Sequence, residues 1–251
     1  MTGFPPDFPE AAVRPSPNFG ERRKGRKPDA IILHYTGMTS GQAAEDWLCN
    51  PTSEVSSHYL AHEDGRVVQM VPEAARAWHA GRGSWKGEDD VNSFSIGVEI
   101  VNPGHQFGYR DFPSVQIDAV AALCLDICRR NAILPQRVLA HSDTAPGRKV
   151  DPGEKFPWKR LAEMGVGHYV DPERVTGGEV LAPGDRGSAV AGLQRRLAEY
   201  GYGIEKTGVF DAETETVVAA FQRHFRPSAV NGIADSSTCS TLEKLILALP
   251  K

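Results

Sequence analysis

Hydrophobic and polar positions divide the chain into a first part of strand-like runs around one long helix and a last part of helical stripes only. Ala30-Ile31-Ile32-Leu33 is an unbroken apolar run, as expected of a strand buried on both faces, and it delivers His34 to its C-terminal end. Residues 41–49 read as a short helix halted by Asn50-Pro51, and 56–61 and 66–71 flank Glu63-Asp64-Gly65 as a hairpin. Residues 94–101 alternate, predicting a strand with Phe94, Ile96, Val98 and Ile100 on one face and Ser95, Gly97 and Glu99 on the other. Ser114–Asn131 carries Val120, Leu123, Cys124, Ile127 and Cys128 at helical spacing, starting at Pro113-Ser114 with Asp118 in the first turn. A short strand at 137–140 leads to His141, and 157–164 predicts a closing helix.

The last part holds three amphipathic stripes. The first, at about 188–200, turns Val190, Leu193 and Leu197 inward; the second, capped by Asp211, turns in Val217, Val218, Phe221 and Phe225. The third, capped by Asp235 or Ser236, uses Cys239, Leu242, Leu245, Ile246 and Leu249. Residues 166–182, with a Gly-Gly pair and no period, read as a linker. Residues 1–28 are proline-rich and end in ERRKGRKP, which fits an anion-binding patch or, as charge runs usually do, a solvated lead-in. The expected division is therefore 1–28, 29–165, 166–182 and 183–251.

Composition narrows this picture only by exclusion. The 251 residues are 40% hydrophobic and 24% charged, those of an ordinary globular chain. A net charge of −4 gives no global attraction to nucleic acid or anionic membrane. No run approaches the roughly 18 apolar residues of a membrane span. The N-terminal stretch has no apolar core, no basic start and no cysteine for lipidation, which points to the cytoplasm. Cys49, Cys124, Cys128 and Cys239 form no CxxC pair, and four are few for a disulfide scaffold.

The candidate chemistry centres on LAHSDTAPGRKVDPGEKFPW at 139–158. His141 and Asp151 are of the types that ligate zinc, in a connection rich in proline and glycine. Lys149 and Asp151, two apart, leave an extended backbone on the same side. Taken alone, the stretch also fits a surface loop with three unrelated polar residues. His34, at a strand end, is the leading third partner. Glu99, on a strand face cleared by Ser95 and Gly97, suits a water-activating carboxylate. Trp78-His79, on a polar loop reaching Asn92, fits either a substrate groove or local packing. His58 and His62 do not form a zinc pair, because residues four apart in a strand lie roughly 13 Å from each other. The helical part has no cluster of His, Cys, Asp and Glu, so it reads as a binding module. Removing it is expected to spare cleavage of small substrates.

Five segments together carry a resemblance: AIILHYTGM at 30–38, SSHYLAHEDGRVVQMVPE at 56–73, AWHAG at 77–81, SIGVEIVN at 95–102 and AHSDTAPGRKVDPG at 140–153. Over about residues 15–165 the chain resembles the zinc-dependent N-acetylmuramoyl-L-alanine amidases of the type-2 superfamily, which includes peptidoglycan recognition proteins. From 183 onward it resembles the three-helix peptidoglycan-binding module of wall hydrolases. The resemblance implies an α/β amidase domain, with a central mixed sheet flanked by helices, plus a small all-α domain. It implies one Zn2+ per chain on His34, His141 and Asp151, with Glu99 handling the water's proton and Lys149 the oxyanion. Tyr35, Trp78, His79 and Asn92 would face substrate, a peptidoglycan or muropeptide cut between the lactyl group and L-alanine. A monomer without nucleic-acid partners or a membrane span is expected. The wall-binding module sets the cell envelope against the cytoplasm as the compartment. In some relatives a catalytic Tyr stands where this chain has Ser57, and those relatives lack the strand glutamate supplied here as Glu99. Recognition proteins that do not cleave typically lose a zinc ligand, whereas all three are present. A zinc peptidase is disfavoured by the missing HxH element, and a serine hydrolase by the missing GxSxG.

Overall fold

The apolar run at 30–33 becomes the middle of a six-stranded sheet. The computed structural model describes residues 3–174 and 177–250. In chain order the strands are β1 (Ala12–Val13), β2 (Phe19–Gly20), β3 (Ala30–Tyr35), β4 (Tyr59–Ala61), β5 (Val67–Gln69), β6 (Arg76–Ala77), β7 (Ser95–Ile100) and β8 (Val138–Ala140). The α-helices are α1 (Gly41–Leu48), α2 (Val91–Phe94), α3 (Ser114–Asn131), α4 (His141–Thr144), α5 (Trp158–Glu163), α6 (Ser188–Tyr200), α7 (Ala212–Phe225) and α8 (Ser236–Leu247). The sheet order is β1-β5-β4-β7-β3-β8, while β2 and β6 form a separate pair. It is mixed: β4, β7, β3 and β8 run parallel, β4 and β5 make the antiparallel hairpin, and β1 pairs parallel with β5.

Alternation in these strands sends two sets of side chains to opposite faces. Ile31, Leu33, Ile96, Val98 and Ile100 join the buried face of α3, with Ile117, Val120, Leu123, Cys124 and Ile127, in one core. The opposite face carries Ala30, Ile32, His34, Ser95, Gly97 and Glu99. At one margin Leu48 of α1 packs with Leu60, Val68 and Met70. At the other, Ala30, Ile32, Phe94 and Leu139 share a cluster with Leu193, Leu197, Tyr200, Phe221 and Phe225 of α6 and α7. The site lies on this second face, between the two margins.

Three expectations need correction. Phe94 does not extend the alternation of β7. It ends the helical turn α2, with Ser95 Oγ donating to the Val91 carbonyl at 2.6 Å, and so packs on the opposite side from Ile96. The lead-in is not merely solvated. It supplies β1, and Arg22, 7% exposed, donates to the carbonyls of Glu73, Ser93 and Ser95 at 2.8–3.1 Å. One guanidinium thus satisfies buried carbonyls from two separate segments. Finally, the three helices do not stand apart from the sheet, because the second cluster runs continuously from Ile32 to Leu242 and Leu245. Their caps follow the pattern: the carboxylates of Asp211 and Asp235 accept from Thr214 and Thr238 N–H.

Candidate active site

His34 is the last residue but one of β3, and register places it directly beside Glu99 on β7. The next parallel strand, β8, is followed at once by His141, the first residue of α4. The chain then returns through Gly147 to Asp151, whose carbonyl accepts from Ser142 N–H at 3.0 Å. Strand ends and one looped return thus bring three separate segments to a point. His34 Nδ1, His141 Nδ1 and Asp151 Oδ2 lie 2.9–3.0 Å from one another, and all three residues are buried.

Their outer hydrogen bonds decide which ring atoms carry protons. His141 Nε2 faces the Ala80 carbonyl at 2.9 Å, which can only accept, so Nε2 holds the proton and the neutral ring points a lone pair from Nδ1. Ser95 Oγ has given its proton to Val91, so it accepts from His79 Nε2 at 3.3 Å. His79 Nδ1 is then bare and accepts from His34 Nε2 at 3.0 Å, which leaves His34 Nδ1 bare too. Burial, then the neighbouring His141, lowers His34 to about 4; burial, then His34, holds His79 well below the usual imidazole range. Two lone pairs and a carboxylate oxygen therefore converge with no proton between them. A metal cation at their centre would satisfy all three at once. Ligand atoms on a tetrahedral zinc are about 3.3 Å apart, so movement of a few tenths of an ångström admits one.

Beside this triangle, Glu99 Oε2 is shielded from solvent and has no hydrogen-bond partner among the described residues. Burial first, then the Asp151 charge, pushes the Glu99 carboxyl well above its usual range, with the Lys149 ammonium acting the other way. The clearance left by Gly97 is filled by His79: a Cβ there would sit 2.4 Å from His79 Cγ.

The remaining sequence candidates separate. Tyr35 is partly exposed, its hydroxyl 3.1 Å from His105 Nδ1. His79 is half-buried and bridges His34 and Ser95 through its two ring nitrogens. Asn92 is buried, and its Oδ1 accepts from the N–H groups of His79 and Ala80, which holds the 78–80 loop. Trp78 is tied through its backbone to Ser56. His58 and His62 diverge as expected: His58 Nδ1 accepts from Gly97 N–H, while His62 Nε2 meets Glu45. Among the described residues, His34, His141 and Asp151 form the one group of three able to share a metal ion. The roles of Ser95 and the Ala80 carbonyl were not visible in the sequence, since neither residue type announces proton placement.

Residues 24–154 match the family model described as N-acetylmuramoyl-L-alanine amidase, and 186–242 match one described as a putative peptidoglycan binding domain. The first match covers more than half of the chain. The chain belongs to the N-acetylmuramoyl-L-alanine amidases. It is 39% identical over 236 residues to N-acetylmuramoyl-L-alanine amidase AmiD of Escherichia coli (strain K12), spanning 86% of this chain and 81% of that one. A putative N-acetylmuramoyl-L-alanine amidase of Rickettsia conorii is 33% identical, over 84% of this chain and 80% of its own. Among solved structures, the complex of E. coli AmiD with anhydro-N-acetylmuramic acid-L-Ala-D-gamma-Glu-L-Lys superposes with a TM-score of 0.74 at 33% identity, covering 92% of this chain and 97% of that one. AmpDh3 from Pseudomonas aeruginosa also gives 0.74, at 31% identity and 91% and 95% coverage. In this amidase Ser57 is buried and donates to the Gly97 carbonyl, so it offers substrate no proton. No helix among the described residues is long and apolar enough to cross a membrane.

Proposed function

We propose that this amidase hydrolyses the lactyl–L-alanine amide with Zn2+ held by His34 Nδ1, His141 Nδ1 and Asp151 Oδ2, and with Glu99 as the proton carrier. The observation that carries the reading is the proton-free triangle of donors with the unpartnered Glu99 oxygen beside it. Zinc, when bound, polarises a carbonyl and makes hydroxide available near neutral pH. The chain's own residues supply the rest. Glu99 takes a proton from the attacking water as its oxygen joins the lactyl carbonyl carbon. Glu99 keeps that proton until the C–N bond breaks, then passes it to the departing L-alanine amine. The Lys149 ammonium stabilises the negative charge that develops on the carbonyl oxygen. Tyr35, at the exposed end of β3, faces the sugar or the peptide. Muropeptides of the anhydro type named in the AmiD complex are the substrate class, with the wall polymer reached through the helical part.

Metal analysis tests the ligand set. His141→Ala and Asp151→Ala should lose zinc and activity together, and chelation of the wild type should abolish turnover that added zinc restores. Stoichiometric zinc in both variants would remove the assignment.

A further inference from the structure

The seam between the helical part and the metal loop is polar where it meets α4. Asp143, two residues after His141, is 0% exposed. Its carboxylate accepts from three donors: Ala140 N–H at 2.8 Å, Tyr202 O–H at 2.7 Å and His224 at 2.7 Å. Against a carboxylate, His224 Nδ1 must carry the ring proton. Only the first donor is local. Tyr202 follows α6 and His224 lies on α7, so two of the three come from the segment that resembles a wall-binding module. His224 is held in turn, its ring stacked 3.7 Å from Trp158 and 3.8 Å from Phe225. The seam continues along the same loop, where a Cβ on Gly147 would lie 3.3 Å from Thr216 of α7.

We infer that Tyr202 and His224 are positioning residues for the metal centre: through Asp143 they fix α4, and with it the direction of His141. The physical argument is one of alternatives. A buried carboxylate deprived of two donors turns to find others or admits water, and either response moves a four-residue helix whose first residue is His141. In the same turn the Thr144 hydroxyl is already committed to the His141 carbonyl at 3.1 Å. Here the helical part reaches the ligand set.

This inference rests on the zinc reading above, and the test separates the two. Tyr202→Phe and His224→Phe each delete one donor while keeping a ring in the aromatic stack. Leu242→Ala loosens the helical core at a residue that is not among the hydrogen-bond partners of Asp143. Zinc dissociation constants are measured by chelator competition on the full chain, alongside thermal unfolding. Outer-shell losses weaken metal binding by about 10–100-fold, so each Phe variant should bind zinc roughly tenfold more weakly. His224→Asn, which can place an amide donor near the Nδ1 position, should recover part of the loss. Leu242→Ala should lower the unfolding temperature and keep the wild-type constant. Wild-type affinity in both Phe variants overturns the inference, as does an equal loss in Leu242→Ala. A wild-type chain that binds no zinc overturns the underlying metal reading instead.

Discussion

Removing residues 181–251 should cost this amidase its fold as well as its grip on the wall. Trp85 is wholly buried, and its ring packs against Tyr202 at 5.0 Å and Tyr200 at 6.1 Å, with Gly201 between them. A Cβ on Gly201 would come within 2.4 Å of the indole. A tryptophan buries roughly 150–250 Å2. If the cut uncovers half of that, at about 25 cal/mol per Å2, the loss is roughly 2–3 kcal/mol. Ile32, Phe94 and Leu139 lie in the same cluster. Half-uncovering each adds roughly 2–4 kcal/mol more. The total, about 4–7 kcal/mol, competes with the whole stability of an ordinary domain, about 5–15 kcal/mol. The assay is circular dichroism melting of residues 1–180, with turnover on a soluble muropeptide. The expected result is no cooperative transition at 37 °C and no turnover. A truncated chain that melts cooperatively and cleaves at the wild-type rate would refute the shared core and restore the detachable module.

Gly97→Ala should displace His79 and, through the broken hydrogen bond to His34, weaken zinc binding by about tenfold; unchanged affinity would mean His79 does not orient His34. In metal-free protein, the raised Glu99 pKa favours the folded state below the carboxylate's unfolded pKa, and that advantage is lost as pH rises through the folded one. Glu99→Gln should therefore unfold at a higher temperature than wild type at pH 8 and match it near pH 4, and an equal gap at both values would count against the buried charge. Burial, with Arg22 nearby, holds His58 neutral down to about 3, so wild-type stability should fall as pH drops below about 6.5. His58→Gln should show a shallower acid slope, and parallel slopes would contradict the assignment.

What the sequence revealed and what it hid follow one physical line. Ala30–Tyr35 was legible as an unbroken apolar run buried on both faces, the Tyr59–Gln69 hairpin by its Glu63-Asp64-Gly65 turn, and α3 and the three C-terminal helices because each buries one periodic face. The grouping of His34, His141 and Asp151 was only suggested by strand ends and a return loop, and it took the family resemblance to join the three as a ligand set. Phe94 was misplaced because an apolar residue before an alternating run looks the same whether it ends a helical turn or starts the strand. Arg22 was misread because its partners are carbonyls about 50 to 73 residues away, which leave no local mark. Tyr202 and His224 lay outside the helical stripes, and a contact between distant segments has no period. The proton arrangement through Ser95 and His79 depends on distances of about 3 Å, which only coordinates supply.

The central claim is that Glu99 moves the proton at a metal held by the other three residues. Its most direct test is turnover of a zinc-loaded Glu99→Gln variant on an anhydro-muropeptide, with zinc content measured on the same sample. The account predicts full zinc and a fall of about 10²–10⁴-fold in kcat, with KM nearly unchanged. Full zinc with wild-type kcat would contradict it.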